Sequence, residues 1–131
     1  MKKILLILMM ALWLPMTAAA DDSEAKPAIR FDSPTVHDFG TIRANEGSVS
    51  AEYTFTNTGT APLVIINVTN GGCGCTTPDY PKAPIAPGES DKITIHFNPT
   101  GRRGEFNREV RVKTNATKKR LKLEFSGVIV P

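Results

Sequence analysis

The sequence contains two cysteines, Cys73 and Cys75, separated by a single glycine. A disulfide requires Cα atoms about 4.4–6.8 Å apart. Two fully extended residues span up to roughly 7 Å, so this pair can close only where the chain bends. Gly71, Gly72 and Gly74 permit such a bend, because glycine adopts backbone angles that are costly for other residues. The spacing therefore predicts local chemistry at one loop and no covalent link between distant parts of the fold.

Three interpretations of the Cys73–Cys75 pair remain open from the residues alone. The first is structural: a local disulfide, or two half-buried thiols, that fixes the end of an apolar strand at residues 63–68. The second is binding of a thiophilic ion such as Cu(I) or Zn(II), although a closed zinc site needs four ligands and the only histidines are His37 and His96. The third is thiol–disulfide exchange, for which the usual activating helix N-terminus is missing.

Few other polar side chains are candidates for a functional site. Arg102 and Arg103 lie between two glycines, where they could present two guanidiniums to an anionic partner or occupy a solvated hairpin tip. His96 alternates with apolar neighbours, which predicts that it faces solvent. His37 is followed by Asp38, which predicts an ion pair or a hydrogen bond. No known catalytic motif occurs, so the sequence predicts no catalytic residues and a protein that is not an enzyme.

The first twenty residues have the organisation of an export signal. A positive start precedes an unbroken apolar run of 11 residues at 4–14, and three alanines at 18–20 offer a cleavage site. The run is too short to span a membrane, which takes about 17–25 residues. We expect a signal peptide over 1–20, a flexible acidic leader over 21–28, and an exported, periplasmic or cell-envelope protein without a transmembrane segment in its mature chain. The alternative is an uncleaved N-terminal anchor.

The charge balance excludes nucleic-acid binding driven by net charge. The chain has 16 Lys and Arg against 13 Asp and Glu, and two of the lysines lie in the first twenty residues, which leaves 14 basic against 13 acidic groups. Binding to the phosphate backbone needs a basic excess or a distinct basic patch. We expect no nucleic-acid partner, and no cofactor other than the Cu or Zn ion of the metal-binding interpretation.

After residue 28, apolar and polar residues alternate in short segments, which is the pattern of half-buried strands. The predicted strands lie at residues 29–31, 36–42, 49–56, 63–68, 93–98, 106–112 and 121–125. The first two are predicted to be edge strands, and the fourth to be buried on both faces. About seven to eight strands without a helix predict an immunoglobulin-like antiparallel β-sandwich over residues 29–131. Its core must be held by packing, because the two cysteines are too close to link two sheets.

A series of short motifs resembles a known family. The motifs are HDFGTI at 37–42, YTFTNTG at 53–59, PLVI at 62–65, CGCT at 73–76, PIAPGE at 84–89 and FSG at 125–127. In this order they cover about residues 30–128 and resemble the bacterial domain-of-unknown-function family 1573. That family is common in exported Bacteroidetes proteins and is related to the immunoglobulin-like ASH, MSP and Hydin modules. The resemblance implies an immunoglobulin-like sandwich and an envelope location, and it implies no established activity.

Two classes of function are compatible with these observations. The first is a non-enzymatic binding or scaffolding module of the bacterial envelope, whose partner is a protein or another envelope component, because sandwich edges can bind extended peptides by strand addition. The alternative is a thiol-based role for Cys73 and Cys75, either in copper or zinc handling or in redox exchange. The spacing of the cysteines and their glycine-rich setting motivate this alternative.

Overall fold

The computed structural model describes residues 24–131, so the predicted signal peptide and the first three residues of the predicted leader, 21–23, lie outside the described residues. The described part contains eight strands: β1 (Ile29–Phe31), β2 (Val36–Arg43), β3 (Val49–Asn57), β4 (Ile65–Val68), β5 (Thr76–Asp79), β6 (Ser90–Phe97), β7 (Gly104–Thr114) and β8 (Leu121–Val130). They form two four-stranded sheets, in the orders β1-β3-β6-β5 and β2-β8-β7-β4. The predicted immunoglobulin-like sandwich is confirmed. No helix within residues 24–131 is long and apolar enough to cross a membrane.

The core lies between the two sheets and consists of their inward-facing apolar side chains. Its buried members are Ala51, Tyr53, Phe55, Leu63, Ile65, Val68, Ile85, Ile93, Ile95, Phe97, Val110, Val112, Leu123, Phe125 and Ile129. At one end the Phe97 ring stacks on Phe106 with the centroids 4.8 Å apart, and it lies 5.4 Å from Phe125. Burying each such side chain stabilises the fold by about 1.5–3 kcal/mol, so the packed side chains hold the two sheets together without a covalent link between them.

The order of the strands places β1, β5, β2 and β4 at the sheet edges. The prediction that the first two strands are edge strands is confirmed. All strand pairs are antiparallel except one, because β2 runs parallel to β8. Residue alternation reports which face is buried and carries no information about strand direction, so the parallel pair could not be predicted.

Two strands differ from the sequence prediction. The run at 63–68 is not a strand buried on both faces, because β4 is an edge strand whose Ile66 is 48% exposed and whose register shifts between Ile65 and Asn67. The strand β5 was not predicted, since Thr76–Asp79 has no apolar alternation and includes Pro78. It forms as a strand because it pairs with β6, where Thr76 lies opposite Phe97.

A buried asparagine joins three parts of the chain at the end of β3. The Asn57 side chain is fully buried, and its Nδ2 donates to the carbonyls of Ala61 and Ile85 at 2.8 and 2.9 Å. Its Oδ1 accepts the backbone N–H of Gly59 at 2.9 Å. A Cβ at Gly59 would lie 2.2 Å from the carbonyl oxygen of Lys26, so only glycine allows this close approach of the segment before β1.

A buried tyrosine links the two sheets. Tyr53 on β3 has no exposed surface, and its hydroxyl donates to the backbone carbonyl of Glu124 on β8. Burial raises the pKa of Tyr53 to about 12, and the Glu124 carboxylate adds to the rise by charge repulsion. The tyrosine therefore stays neutral and keeps donating this hydrogen bond well into the alkaline range.

Candidate functional site

The cysteine loop connects β4 to β5 and lies against one end of the sandwich. In the structure the sulfur atoms of Cys73 and Cys75 form a disulfide, with the Cα atoms 5.2 Å apart. Cys73 is 9% exposed, whereas Cys75 is half-buried and packs against the core. As a whole residue, Cys75 is therefore more exposed than Cys73.

Backbone hydrogen bonds and one glycine shape the loop. The carbonyl of Asn70 accepts the N–H of Cys73 at 3.3 Å, and the carbonyl of Cys75 accepts the N–H of Asn98 at 2.8 Å. Gly71 has φ +68°, and a Cβ there would lie 2.5 Å from the carbonyl oxygen of Glu109. Glycine is thus required for the loop to lie this close to β7.

An arginine from a distant part of the sequence contacts the disulfide. Arg102 lies on the connection from β6 to β7, and its Nη2 donates to Cys73 Sγ at 3.2 Å. The prediction of a hairpin tip here is wrong, because β6 and β7 belong to different sheets and the connection crosses between them. The two neighbouring guanidiniums are not equivalent, since that of Arg102 contacts the sulfur, and their presentation to an anionic partner stays a prediction.

The two histidines do not join the cysteines. The ring of His96 faces away from the core, as predicted, and its Nδ1 lies 2.7 Å from the hydroxyl of Ser50. His37 packs edge-on against Phe39, with centroids 4.6 Å apart. The predicted contact of His37 with Asp38 is not formed within the described residues, because Asp38 Oδ1 accepts the backbone N–H of Gly40 at 2.8 Å.

The metal-binding interpretation does not fit this geometry. Within residues 24–131, no three His, Cys, Asp or Glu side chains come together where they could hold a metal ion. Thiolates are the ligands for copper or zinc, and the sulfurs of Cys73 and Cys75 are bonded to each other. A closed zinc site would need two further ligands, which the neighbouring side chains do not supply.

A second candidate site is the outer edge of β2. This edge strand has eight residues, whereas β1 has three and β4 and β5 have four each. Glu124 N–H donates to the carbonyl of Thr35, and Ala44 N–H donates to the carbonyl of Val130. The N–H and C=O groups of successive residues point to opposite sides of a strand. Because Thr35 and Ala44 bond to β8, the backbone groups of alternate residues between them point away from β8. The residues whose backbone groups face outward are Val36, Asp38, Thr41 and Arg43.

A shallow groove on the outer face of the sheet begins beside this edge. It is lined by Asp38, Glu105, Phe106, Asn107, Ser126, Gly127 and Val128. The lining includes two carboxylates and no cationic side chain. Val128 is 37% exposed, and Val36 at the start of the edge is 53% exposed. The groove therefore combines apolar surface with negative charge.

Comparison with solved structures shows the same architecture elsewhere. A protein of unknown function from Porphyromonas gingivalis W83 has a TM-score of 0.68 at 17% identity, over 86% of this chain and 51% of its own. The VesB protease of Vibrio cholerae has a TM-score of 0.59 at 17% identity, over 76% of this chain and 31% of its own. The ASH / PapD-like domain 7 of human CEP192 has a TM-score of 0.56 at 16% identity, over 81% of this chain and 86% of its own.

The chain thus spans about half of the Porphyromonas protein and about a third of the Vibrio protease. A comparison with curated proteins finds no match. The family model described as "Protein of unknown function (DUF1573)" matches residues 29–129, which include every strand of the sandwich except the last residue of β8. The chain belongs to this family.

Proposed function

We propose that this protein is a non-enzymatic binding module of the bacterial envelope that takes up an extended segment of a partner protein along β2. Export rests on the expected signal peptide at residues 1–20. The observation that carries the binding role is the row of outward-facing backbone groups from Val36 to Arg43. Unpaired N–H and C=O groups at a sheet edge bind another strand through main-chain hydrogen bonds.

The other three edges are less suited to strand addition. β1 spans only three residues, and β5 contains Pro78, which lacks a backbone donor. β4 is interrupted by its register shift between Ile65 and Asn67. β2 also contains a bulge between Asp38 and Thr41, but two outward-facing residues remain on each side of it. A partner strand can therefore pair with β2 before and after the bulge.

The lining of the groove beside β2 supports a particular partner chemistry. A strand added to this edge would lie about 4.8 Å from β2, with alternate side chains on the groove face of the sheet. Asp38 and Glu105 favour basic side chains there, and Val128 favours apolar ones. We infer that the partner segment is extended and alternates basic or apolar residues on one face.

A proline substitution tests this binding mode. Val36→Pro removes an N–H that points away from β8, so the ladder between the two strands stays intact, and proline is tolerated at the first residue of an edge strand. The matched control is Val36→Thr, which keeps the N–H and the β-branched shape. Each protein is used to pull down partners from envelope extract, and the recovered proteins are quantified by mass spectrometry.

We expect one protein to be enriched by the wild type and by Val36→Thr, and to be lost with Val36→Pro. Equal enrichment by the proline and threonine variants would show that the partner binds elsewhere. Recovery of no specific partner with thorough coverage of the envelope proteins would count against a binding role altogether.

A further inference from the structure

The two sulfurs of the disulfide lie in unequal electrostatic surroundings. Cys73 Sγ accepts a hydrogen bond from the Arg102 guanidinium at 3.2 Å and another from the backbone N–H of Cys75, also at 3.2 Å. Among residues 24–131, Cys75 Sγ has only the neutral hydroxyl of Thr76 as a neighbouring donor, at 3.6 Å. Negative charge on sulfur is therefore stabilised at Cys73 more than at Cys75, because charge-assisted hydrogen bonds are about twice as strong as neutral ones.

The exposure of the two residues differs in the opposite sense, with Cys75 the more exposed residue. Cys73 is 9% exposed, and Cys75 is half-buried. An incoming thiolate attacks one sulfur of a disulfide and expels the other, and the rate depends both on access to the first and on the stability of the second as a thiolate. Both factors select the same direction of attack, with Cys75 as the attacked sulfur and Cys73 as the leaving thiolate.

We propose that the Cys73–Cys75 disulfide is a thiol–disulfide exchange site that accepts two electrons from an external dithiol. A thiolate of the dithiol attacks Cys75 Sγ and forms a mixed disulfide, while the electron pair of the broken S–S bond goes to Cys73 Sγ beside Arg102. The second thiol of the reagent then attacks the mixed disulfide and releases Cys75. The dithiol leaves as a disulfide, and the two electrons and two protons that it loses convert Cys73 and Cys75 to thiols.

The structure supplies the activation that the sequence lacks. Reactive cysteine pairs commonly have a positive helix end or a nearby cation that favours the thiolate. No helix is present in the described residues. The guanidinium of Arg102 is the nearby cation that stabilises negative charge on Cys73 Sγ. Arginine keeps its charge at every physiological pH, so the leaving group remains stabilised across that range.

A cavity borders the loop segment that precedes Cys73. A cavity of about 390 Å³ is lined in part by Asn70, Gly71 and Arg108, and the first two belong to the same loop as Cys73. The Nε atom of Arg108 is buried without a hydrogen-bond partner among the described residues.

A pair of neighbouring arginines provides the test and its control. Arg102→Gln removes the cation at Cys73 Sγ, and Arg103→Gln makes the same charge change one residue further along. Dithiothreitol is the dithiol probe, and the oxidised fraction is followed by rapid alkylation and mass spectrometry on the full-length mature protein. We expect roughly tenfold slower reduction of Arg102→Gln, with Arg103→Gln within about twofold of the wild type. Equal rates for the two variants would overturn the role of Arg102.

A monothiol identifies the attacked sulfur independently of any arginine variant. Glutathione is added to the oxidised protein, the reaction is quenched with acid, and the position of the adduct is mapped by peptide mass spectrometry. The proposal predicts the adduct on Cys75 and a free thiol on Cys73. An adduct mainly on Cys73, or no adduct at a glutathione concentration that reduces an exposed disulfide, would overturn it. Circular dichroism of each arginine variant checks that it is folded.

Discussion

Arg102 follows Cys73 by 29 positions in the sequence, and its guanidinium still donates to the cysteine sulfur. No local pattern predicts this contact, because it arises from the connection that carries the chain from one sheet to the other. The outward direction of His96 could be predicted, since it depends only on alternation within one strand. The contrast shows which residue properties the sequence determines locally and which depend on the tertiary fold.

Asn57 provides the first prediction at the residue scale. We expect Asn57→Ala to lower the free energy of unfolding by roughly 2–4 kcal/mol, because it removes three hydrogen bonds and leaves the carbonyl of Ala61 and the N–H of Gly59 without this partner, while the carbonyl of Ile85 keeps only the N–H of Leu63. The control is Asn67→Ala on β4, where the side chain is exposed and the expected change is within about 0.5 kcal/mol. Urea unfolding measures both, and equal changes would contradict the role of Asn57.

Tyr53 provides a prediction about alkaline pH. Because burial raises the pKa of Tyr53 from 10.0 to about 12 in the folded state, its contribution to stability is complete below pH 10 and is lost as the pH rises through 12. The loss is roughly 2–3 kcal/mol, at about 1.4 kcal/mol per pH unit. Tyr53→Phe should unfold with a flatter pH dependence than the wild type between pH 10 and 12, as measured by denaturant unfolding. Parallel curves would exclude this linkage.

At the scale of strands, the sequence correctly predicts the strands in which apolar and polar residues alternate regularly. It misassigns β4 and misses β5, which lack that alternation. β1 and β2 were predicted at the edges, whereas β4 was predicted as buried on both faces because its run is almost wholly apolar. In the described part of the chain, no strand pairs with the outer side of β4, and Ile66 is 48% exposed. β5 has no apolar period, and pairing with β6 is what makes it a strand.

The cysteine loop gives a prediction at this scale. Gly71 and Gly72 both have positive φ, but only Gly71 also has a backbone atom in the way of a Cβ, at 2.5 Å from the carbonyl of Glu109. We expect Gly71→Ala to destabilise the fold by roughly 1 kcal/mol more than Gly72→Ala. Both alanines are strained by the left-handed backbone, but only the alanine at position 71 must also push the loop away from β7. Thermal unfolding of the two variants measures the difference, and equal midpoints would refute the close approach.

At the scale of the whole molecule, the two sheets are held together by their apolar faces and not by the disulfide. The bond closes a ring of only three residues, for which chain entropy gives roughly 1–2 kcal/mol. Phe125→Ala in the core should destabilise the protein by about 3–5 kcal/mol. We therefore expect reduction of the wild type to lower the urea midpoint less than Phe125→Ala does. A larger effect of reduction would mean that the loop holds the sheets together.

Among the described strands the sandwich leaves one long edge open, at β2, and this edge is the basis of the binding role that we propose. The most direct test is a photo-crosslinking amino acid placed at Val36 in the living bacterium, with the same amino acid at Glu52 on the outer face of the other sheet as control. The account predicts one defined protein adduct from position 36 and none from position 52. Adducts of equal yield from both positions, or from neither, would contradict it.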